Sequence, residues 1–229
     1  MSSNPYRDLY DRLLASYGPQ GWWPGEGPFE VIVGAILTQR TAWRNVEIAM
    51  RTLRECGLTS VAAIDGAPLE RIQGAVRPAG FYRAKAETLK RFARHVAAMH
   101  DGDLAELLAR PTASLRKELL GLRGIGEETV DAIVVYAARK PGFVIDAYTQ
   151  RLLHRLGWTD GSETYGALRE RFLSSLPRDV KLLGEFHALI VKHGKEHCRA
   201  TPACAGCPVR SICSTGPSCV AVGCEDGRR

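Results

Sequence analysis

The sequence has no apolar run that approaches the roughly 20 residues needed to span a bilayer as a helix. Its first residues, "MSSNPYRDLYDRLL", are charged and amphipathic, so they also lack the continuous apolar stretch of a secretory signal. These two absences argue against the membrane-spanning and secreted classes of protein. We therefore expect a cytoplasmic protein with no membrane partner, associated with the nucleoid if the source is bacterial.

The chain also lacks the alternation of apolar and polar residues that is typical of β-strands, and it has no internal repeat or low-complexity tract. Helical spacing is found instead: within residues 85–96 apolar side chains recur at intervals of three and four. Breaks such as "WWPGEGP", "RPAGF", "RKPGF" and "SLPRD" divide the chain into short helices. The sequence predicts an all-α protein, and its 229 residues allow one large domain or two small ones.

The most apolar stretch, "FEVIVGAIL" at residues 29–37, could be mistaken for a buried strand. It follows Pro28, however, and helical spacing continues beyond it in "TQRTAWRNVEIAMRTL". We predict a buried helix, a loop over residues 38–41 and a second helix.

Cysteine is scarce over most of the chain, where Cys56 stands alone before residue 198. Six more follow, and because a reducing compartment is expected, a metal or cluster site is favoured over disulfides. The pattern C-x5-C-x2-C-x5-C can wrap four thiolates around one centre, although the spacing alone leaves zinc and an iron-sulfur cluster both open. The predicted ligands are Cys198, Cys204, Cys207 and Cys213. Cys219 and Cys224 are expected to be thiols outside the site.

Negative charge is in deficit, since 31 Lys and Arg residues face 25 Asp and Glu residues. The net charge of +6 suits a polyanionic partner such as nucleic acid. A surplus of this size is also common on proteins that have no such partner.

Two glycines, Gly124 and Gly126, enclose Ile125 in "GLRGIGEETVDAI", between two helical segments. Glycine accepts positive φ without a Cβ clash, so the pair permits a tight turn. Small residues there would let a phosphate approach the N–H groups at the start of the second helix, where the helix dipole favours an anion. The same residues could instead only turn a corner in a helical bundle.

The segments "LRGIGEETV" and "FVIDAYTQRLL" together resemble the helix-hairpin-helix and Gly/Pro-Asp signature of the endonuclease III superfamily of DNA glycosylases. The resemblance implies an all-α, two-lobe fold that binds damaged double-stranded DNA as a monomer, with a C-terminal loop that ligates a 4Fe-4S cluster. It also implies two domains. The first, over residues 26–139, is a six-helix bundle that contains the hairpin, and the second, made of 1–25 and 140–229, is the cluster domain. The hairpin residues then expected to contact DNA are Leu122, Arg123, Gly124, Ile125, Gly126 and Thr129.

Asp146 precedes the helical segment "AYTQRLLHRLG", where it could be a plain N-cap. By the resemblance, it faces the sugar of the target nucleotide and either stabilises positive charge at C1′ or orients the attacking water. Bifunctional members of the superfamily carry a lysine just before the hairpin threonine, and its amine forms a Schiff base. This chain has Glu128 at that position. A carboxylate cannot form an imine, so we expect hydrolytic base removal with little or no AP-lyase activity.

Four further segments, "GWWPGEGPFE", "LTQRTAW", "RPAGFYRAKA" and "EFHALIVKHGK", resemble the 3-methyladenine DNA glycosylase III branch of this superfamily. That branch removes alkylated purines. The base pocket that the resemblance implies has Trp22 and Trp43 on the two faces of the extruded base, lined by Trp23 and Pro24. Gln39 matches the wedge that fills the vacated stack, Arg40 is the neighbouring candidate, and Arg199 and Arg210 are expected at DNA phosphates.

The prediction is therefore a monofunctional glycosylase that hydrolyses the N-glycosidic bond of alkylated purines. One alternative is an endonuclease III type of enzyme that acts on oxidised pyrimidines and cleaves abasic sites. A second is a non-catalytic protein that binds DNA damage.

Overall fold

A computed structural model describes residues 4–23 and 25–216 of the chain. Its internal contacts divide the chain into two compact units. The central unit is Trp23–Lys140, and the terminal unit joins Met1–Trp22 to Pro141–Arg229. The division that the sequence predicts, 26–139 against 1–25 with 140–229, differs from these bounds by a few residues.

All regular structure in the described residues is helical, which confirms the predicted all-α class. In chain order the α-helices are α1 (Pro5–Tyr17), α2 (Pro28–Leu37), α3 (Trp43–Glu55), α4 (Val61–Gly66), α5 (Leu69–Val76), α6 (Tyr82–Met99), α7 (Leu104–Ala109), α8 (Thr112–Leu120), α9 (Glu127–Ala132), α10 (Ala147–Leu156), α11 (Tyr165–Ser175) and α12 (Val180–Glu196). Short 3-10 turns lie at Arg77–Ala79 and Arg210–Ile212. Among these helices, none combines the length and apolar character that crossing a membrane requires.

The central unit is built around α2 and α6. Helix α2 begins with Pro28 at its first position and buries every residue from Val31 to Leu37, so the predicted helix, loop and second helix are confirmed. Helix α6 buries one face against α4 and α5. The described residues of this unit form eight α-helices, of which α4, α7 and α9 have only six residues each.

Helix α9 continues without a break into a π-helix over Ile133–Ala137, all five residues of which are buried. This segment packs against α2. The hairpin that precedes α9 is thus fixed to the apolar core of the central unit.

The terminal unit has its own core, in which α12 packs against both α1 and α10. Three phenylalanines lie at its centre. The rings of Phe143 and Phe172 stack with centroids 3.8 Å apart, and Phe186 meets Phe172 edge-on at 5.6 Å. Truncating one such side chain to alanine costs about 3–5 kcal/mol of folding free energy. Phe143 lies three residues before Asp146, so this core fixes the start of α10.

Candidate functional site

The glycine hairpin joins α8 to α9. Gly124 has φ +96°, and a Cβ there would lie 2.2 Å from Oγ1 of Thr88 on α6, so both the backbone and the packing require glycine. Gly126 differs from the prediction. It is extended, with φ −97°, and no heavy atom of the described residues lies within 4 Å of the position of its Cβ. Its backbone is extended because it is the N-cap of α9 rather than part of the turn.

The remaining hairpin residues divide into an anchor and an exposed edge. Ile125 is 5% exposed and anchors the turn, and Leu122 is half-buried. Arg123 is exposed, and its carbonyl oxygen accepts a hydrogen bond from Arg91 of α6 at 2.5 Å. Glu128 is exposed in the first turn of α9.

Gln39 lies in the loop after α2 and contacts the hairpin directly. Its Nε2 donates hydrogen bonds to the Gly124 carbonyl and to the Thr129 hydroxyl, both at 3.0 Å. The next residue, Arg40, is exposed and has φ +52°, a left-handed conformation that is uncommon for a side chain of this size. The structure thus brings together the predicted wedge and the predicted hairpin.

The predicted base-pocket residues fall in both units. In the central unit, Trp23 packs against Trp43 at 5.4 Å between ring centroids and against Tyr136 at 5.2 Å. Gly34 of α2 makes room for this indole, because a Cβ there would lie 3.3 Å from the Trp23 Nε1. In the terminal unit, Lys195 Nζ lies 5.5 Å from the Trp22 ring centroid. Pro24 lies outside the described residues.

An open cavity of about 540 Å³ lies beside Trp43 in the central unit. The Trp43 Nε1 donates to Glu47 at 2.9 Å. Glu26 and Glu30 also line the cavity, and Arg54 forms a two-pronged ion pair with Glu30. The lining of the cavity therefore combines an indole and three carboxylates with the guanidinium groups of Arg51 and Arg54.

Asp146 is the N-cap of α10, and the predicted capping is confirmed. Its Oδ1 accepts hydrogen bonds from the Thr149 backbone N–H at 2.8 Å and from the Thr149 hydroxyl at 2.9 Å. Nε2 of His187, on α12, lies 3.5 Å from Oδ2, a contact longer than an ordinary hydrogen bond.

The pKa of Asp146 is lowered by these neighbours. Burial disfavours the charged carboxylate, but the contacts with His187 and Thr149 favour it more, so the pKa lies below its ordinary value. The Asp146 side chain remains 14% exposed. The structure therefore holds an ionised carboxylate that is fixed in position and still reachable.

His187 was not predicted as a site residue. It lies within the segment "EFHALIVKHGK", on the buried face of α12, and is 5% exposed. The signal that could have found it is a histidine at a position that helical spacing assigns to the core. Its partner, Asp146, is distant in sequence, which the spacing cannot reveal.

The four predicted ligand cysteines lie in one loop after α12, and the structure holds them as thiols rather than disulfides. Cys198 and Cys204 are buried, while Cys207 and Cys213 are half-buried. Burial raises the pKa of the Cys207 thiol, and the neighbouring Cys198 and Cys213 raise it further. The thiolate forms of these side chains would repel one another, and a bound cationic centre would stabilise them. The donor set therefore fits a metal or iron-sulfur centre.

Arg155, near the end of α10, holds this loop in place. Its guanidinium donates to Cys198 Sγ at 3.3 Å and to the carbonyls of Arg199 and Ala200 at 2.6 and 2.8 Å. Arg199 and Arg210 have exposed side chains on either side of the ligand pair Cys204 and Cys207.

Similarity to known proteins assigns the chain to a family. Residues 33–178 match the model of the HhH-GPD superfamily base excision DNA repair protein. A Methanocaldococcus jannaschii protein that carries the name DNA repair glycosylase is 41% identical over 207 residues, which are 90% of this chain and 94% of that protein.

Two solved structures are similar over most of the chain. A non-covalent Endonuclease III-DNA complex superposes with a TM-score of 0.81 at 22% identity, and the match covers 94% of this chain and 96% of that one. Helicobacter pylori 3-methyladenine DNA glycosylase bound to 1,N6-ethenoadenine gives a TM-score of 0.73 at 26% identity, over 83% and 95% of the two chains. The chain belongs to the HhH-GPD superfamily of base excision DNA repair proteins, among its endonuclease III-like DNA glycosylases.

Proposed function

We propose that this protein is a monofunctional DNA glycosylase that removes alkylated purines from duplex DNA by hydrolysis. The observation that carries the proposal is the Asp146 carboxylate, which is ionised, held by Thr149 and still partly exposed. As the base leaves, positive charge develops at C1′ of the deoxyribose. A fixed carboxylate stabilises that charge without reorganising, either directly or through the water that attacks.

Glu128 supports hydrolysis over lyase chemistry. It is exposed in the first turn of α9, at the position where the resemblance expects the Schiff-base lysine of bifunctional relatives. A carboxylate has no amine to attack C1′, so water completes the reaction and the abasic strand remains intact.

The cavity beside Trp43 supports a cationic base as substrate. Three glutamates, Glu26, Glu30 and Glu47, line this cavity next to the indole. They outnumber its two arginines, Arg51 and Arg54, the second of which pairs with Glu30. A purine that carries a positive charge after alkylation is attracted both by carboxylates and by an aromatic face, the latter by about 0.5–2 kcal/mol. Such a base is also a better leaving group than a neutral one. The similarity to H. pylori 3-methyladenine DNA glycosylase, at 26% identity, supports this proposal.

Contacts with the DNA backbone are assigned to the hairpin and to the cysteine loop. The hairpin offers the amides around Gly124 and the exposed Arg123, and Arg40 adds a second exposed cation in the same unit. In the terminal unit, Arg199 and Arg210 flank the cysteines that would hold a 4Fe-4S cluster. The cluster would order the loop, and its visible charge-transfer absorption distinguishes it from zinc.

The test is base release from duplex DNA. Methylated DNA and DNA that contains thymine glycol are incubated with the protein, and the free bases are identified by chromatography. We expect 3-methyladenine from the first substrate and no thymine glycol from the second. Release of thymine glycol together with a covalent adduct after borohydride reduction would support the endonuclease III alternative instead. If no substrate yields a base but lesion DNA is still bound, the protein is a damage binder.

A further inference from the structure

Lys85 is a lysine of α6 that is almost completely buried, with 4% of its surface exposed. Its Nζ donates hydrogen bonds to the carbonyl oxygens of Leu37 and Ala79, each at 2.8 Å. Leu37 is the last residue of α2, and Ala79 is the last residue of the 3-10 turn. One ammonium group therefore links the ends of two helical elements whose last residues, Leu37 and Ala79, are 42 positions apart in sequence, as 79 minus 37 gives.

Both ends lead into segments that contain an exposed residue with a strained backbone. After Leu37 comes the loop with Gln39 and with Arg40, which has φ +52°. After Ala79 comes Phe81, which has φ +46° and is 65% exposed. A bulky residue in the left-handed region costs about 1–3 kcal/mol, and it persists only where the surrounding structure fixes it.

Burying a charged ammonium group to satisfy the last carbonyls of two helical elements costs free energy. Burial lowers the pKa of Lys85, which shows that removal from water opposes its charge. What the charge supplies is a donor that two carbonyls can share in a fixed geometry. On the same face of α6, Thr88 lies against Gly124 of the hairpin, so this face meets the ends of the two segments and also the hairpin that the proposed function assigns to DNA.

We propose that Lys85 is a positioning residue that holds the loop at 38–41 and the turn at Gly80 and Phe81 in one fixed arrangement. Gln39 and Phe81 then enter the duplex together when a nucleotide is extruded. The inference rests on the proposed function, because it assumes that the site extrudes a nucleotide. Lys85 touches neither the base nor the sugar in this role.

Lys90 provides a matched control on the same helix. Its Nζ also donates to carbonyl oxygens, at 3.1 Å to Ile64 and 2.8 Å to Ala67, and in addition to Asp65. These carbonyls belong to the end of α4, which leads to neither Gln39 nor Phe81. Lys85→Met and Lys90→Met therefore remove the same kind of interaction from the same helix, but only the first releases the two segments.

The experiment uses a duplex that contains a stable abasic analogue, with 2-aminopurine in the opposite strand as a reporter of unstacking. We expect both variants to unfold at lower temperature than the wild type. Only Lys85→Met should reduce the fluorescence change, and it should slow single-turnover release of 3-methyladenine by about 10- to 100-fold, since small misplacements cost this much. Lys90→Met should stay within about twofold of the wild type in both. Equal effects of the two variants, at the same folded fraction, would overturn the proposal.

A double-mutant cycle with Phe81→Ala tests the route of the effect. If Lys85 acts through this turn, Lys85→Met should cost less fluorescence change in the Phe81→Ala background than in the wild type. Additive losses would overturn the proposed role. Should Lys85→Met not fold, Lys85→Gln takes its place in both tests, because the amide keeps a donor for one carbonyl.

The fluorescence readout does not depend on base release. If the wild type unstacks the reporter but frees no base, the proposed function is refuted. The role of Lys85 is then still decided by comparing the fluorescence change of Lys85→Met with that of Lys90→Met.

Discussion

Two helices, α9 and α10, begin in contrasting ways. Helix α9 begins at Gly126, which has no side chain with which to cap the first N–H groups. Helix α10 begins at Asp146, whose carboxylate accepts the N–H of Thr149. Both helix ends carry a partial positive charge. At α10 the capping side chain is itself an anion, whereas at α9 no side chain caps the first N–H groups and the acidic residues are Glu127 and Glu128 of the first turn.

The difference shows how one local structure can serve two purposes. An uncapped, glycine-rich end suits a ligand phosphate, whose charge then replaces the missing cap. A capped end instead fixes a carboxylate and keeps it ionised, because the helix N–H and the nearby His187 both favour its charge. The first arrangement fits binding, and the second fits chemistry.

The largest expected effect comes from Asp146→Asn. Asparagine caps a helix about as well as aspartate, so the free energy of unfolding should change by less than about 1 kcal/mol. Base release should fall by about 100-fold or more, because the fixed negative charge at C1′ is lost. Single-turnover release and denaturant unfolding check the two parts.

Asp179→Asn is the matched control for this substitution. Asp179 is the N-cap of α12 in the same unit and accepts N–H groups from Lys181 and Leu182. It should leave the rate of base release unchanged. A similar loss of rate in both variants would show that capping, and not the Asp146 charge, is responsible.

The second effect separates the two hairpin glycines. Gly124→Ala should destabilise the protein by about 2–4 kcal/mol and weaken DNA binding, since it adds a clash with Thr88 to an unfavourable φ. Gly126→Ala should cost about 1 kcal/mol or less. Thermal unfolding and titration with lesion duplex measure both variants. Equal sensitivity at the two positions would contradict the assignment of the turn to Gly124.

A smaller effect is expected from Glu128→Lys. The new amine would occupy the position of the lyase lysine, so a minor fraction of the protein should become covalently attached to abasic DNA after borohydride reduction. Electrophoresis under denaturing conditions detects the adduct. Glu127→Lys places the same charge one residue earlier and should give none. Trapping of the wild type to the same extent would refute the hydrolytic assignment.

The smallest effect concerns pH. Because the folded-state pKa of Asp146 lies below its ordinary value, its ionisation adds stability at pH values above about 3.9. This contribution is lost as the pH falls through the folded-state pKa. As the pH falls from about 5 to about 3, the difference in unfolding free energy between wild type and Asp146→Asn should therefore shift against the wild type. Denaturant unfolding across this range checks it, and a constant difference would contradict it.

Local sequence patterns predicted much of the fold. The helix at 29–37, the loop after it and the cap at Asp146 each follow from spacing and residue type within about ten residues. The hairpin was predicted as well, but with the wrong conformation for Gly126, because a glycine permits many conformations and its sequence context does not select one.

The parts that were missed depend on contacts between distant residues. His187 meets Asp146, Trp23 packs on Tyr136, and Lys85 reaches Leu37 across long stretches of chain. Helical spacing assigns such residues to a buried face without naming their partners. For the same reason, the position of Lys85 within the apolar pattern of α6 did not indicate that its ammonium group would donate hydrogen bonds to the last carbonyls of two other elements.

Helix α10 connects the Asp146 carboxylate with the cysteine loop, which begins at Cys198, 52 residues later in the sequence, as 198 minus 146 gives. Asp146 is the N-cap of this helix, and near its C-terminal end Arg155 donates hydrogen bonds to the cysteine loop. Ten residues of α-helix form a stiff rod about 15 Å long. A rearrangement of the cysteine loop that displaced Arg155 would therefore disturb the Asp146 carboxylate as well. Damage to this loop would then stop the proposed base release, so that a misassembled protein would leave DNA bases in place.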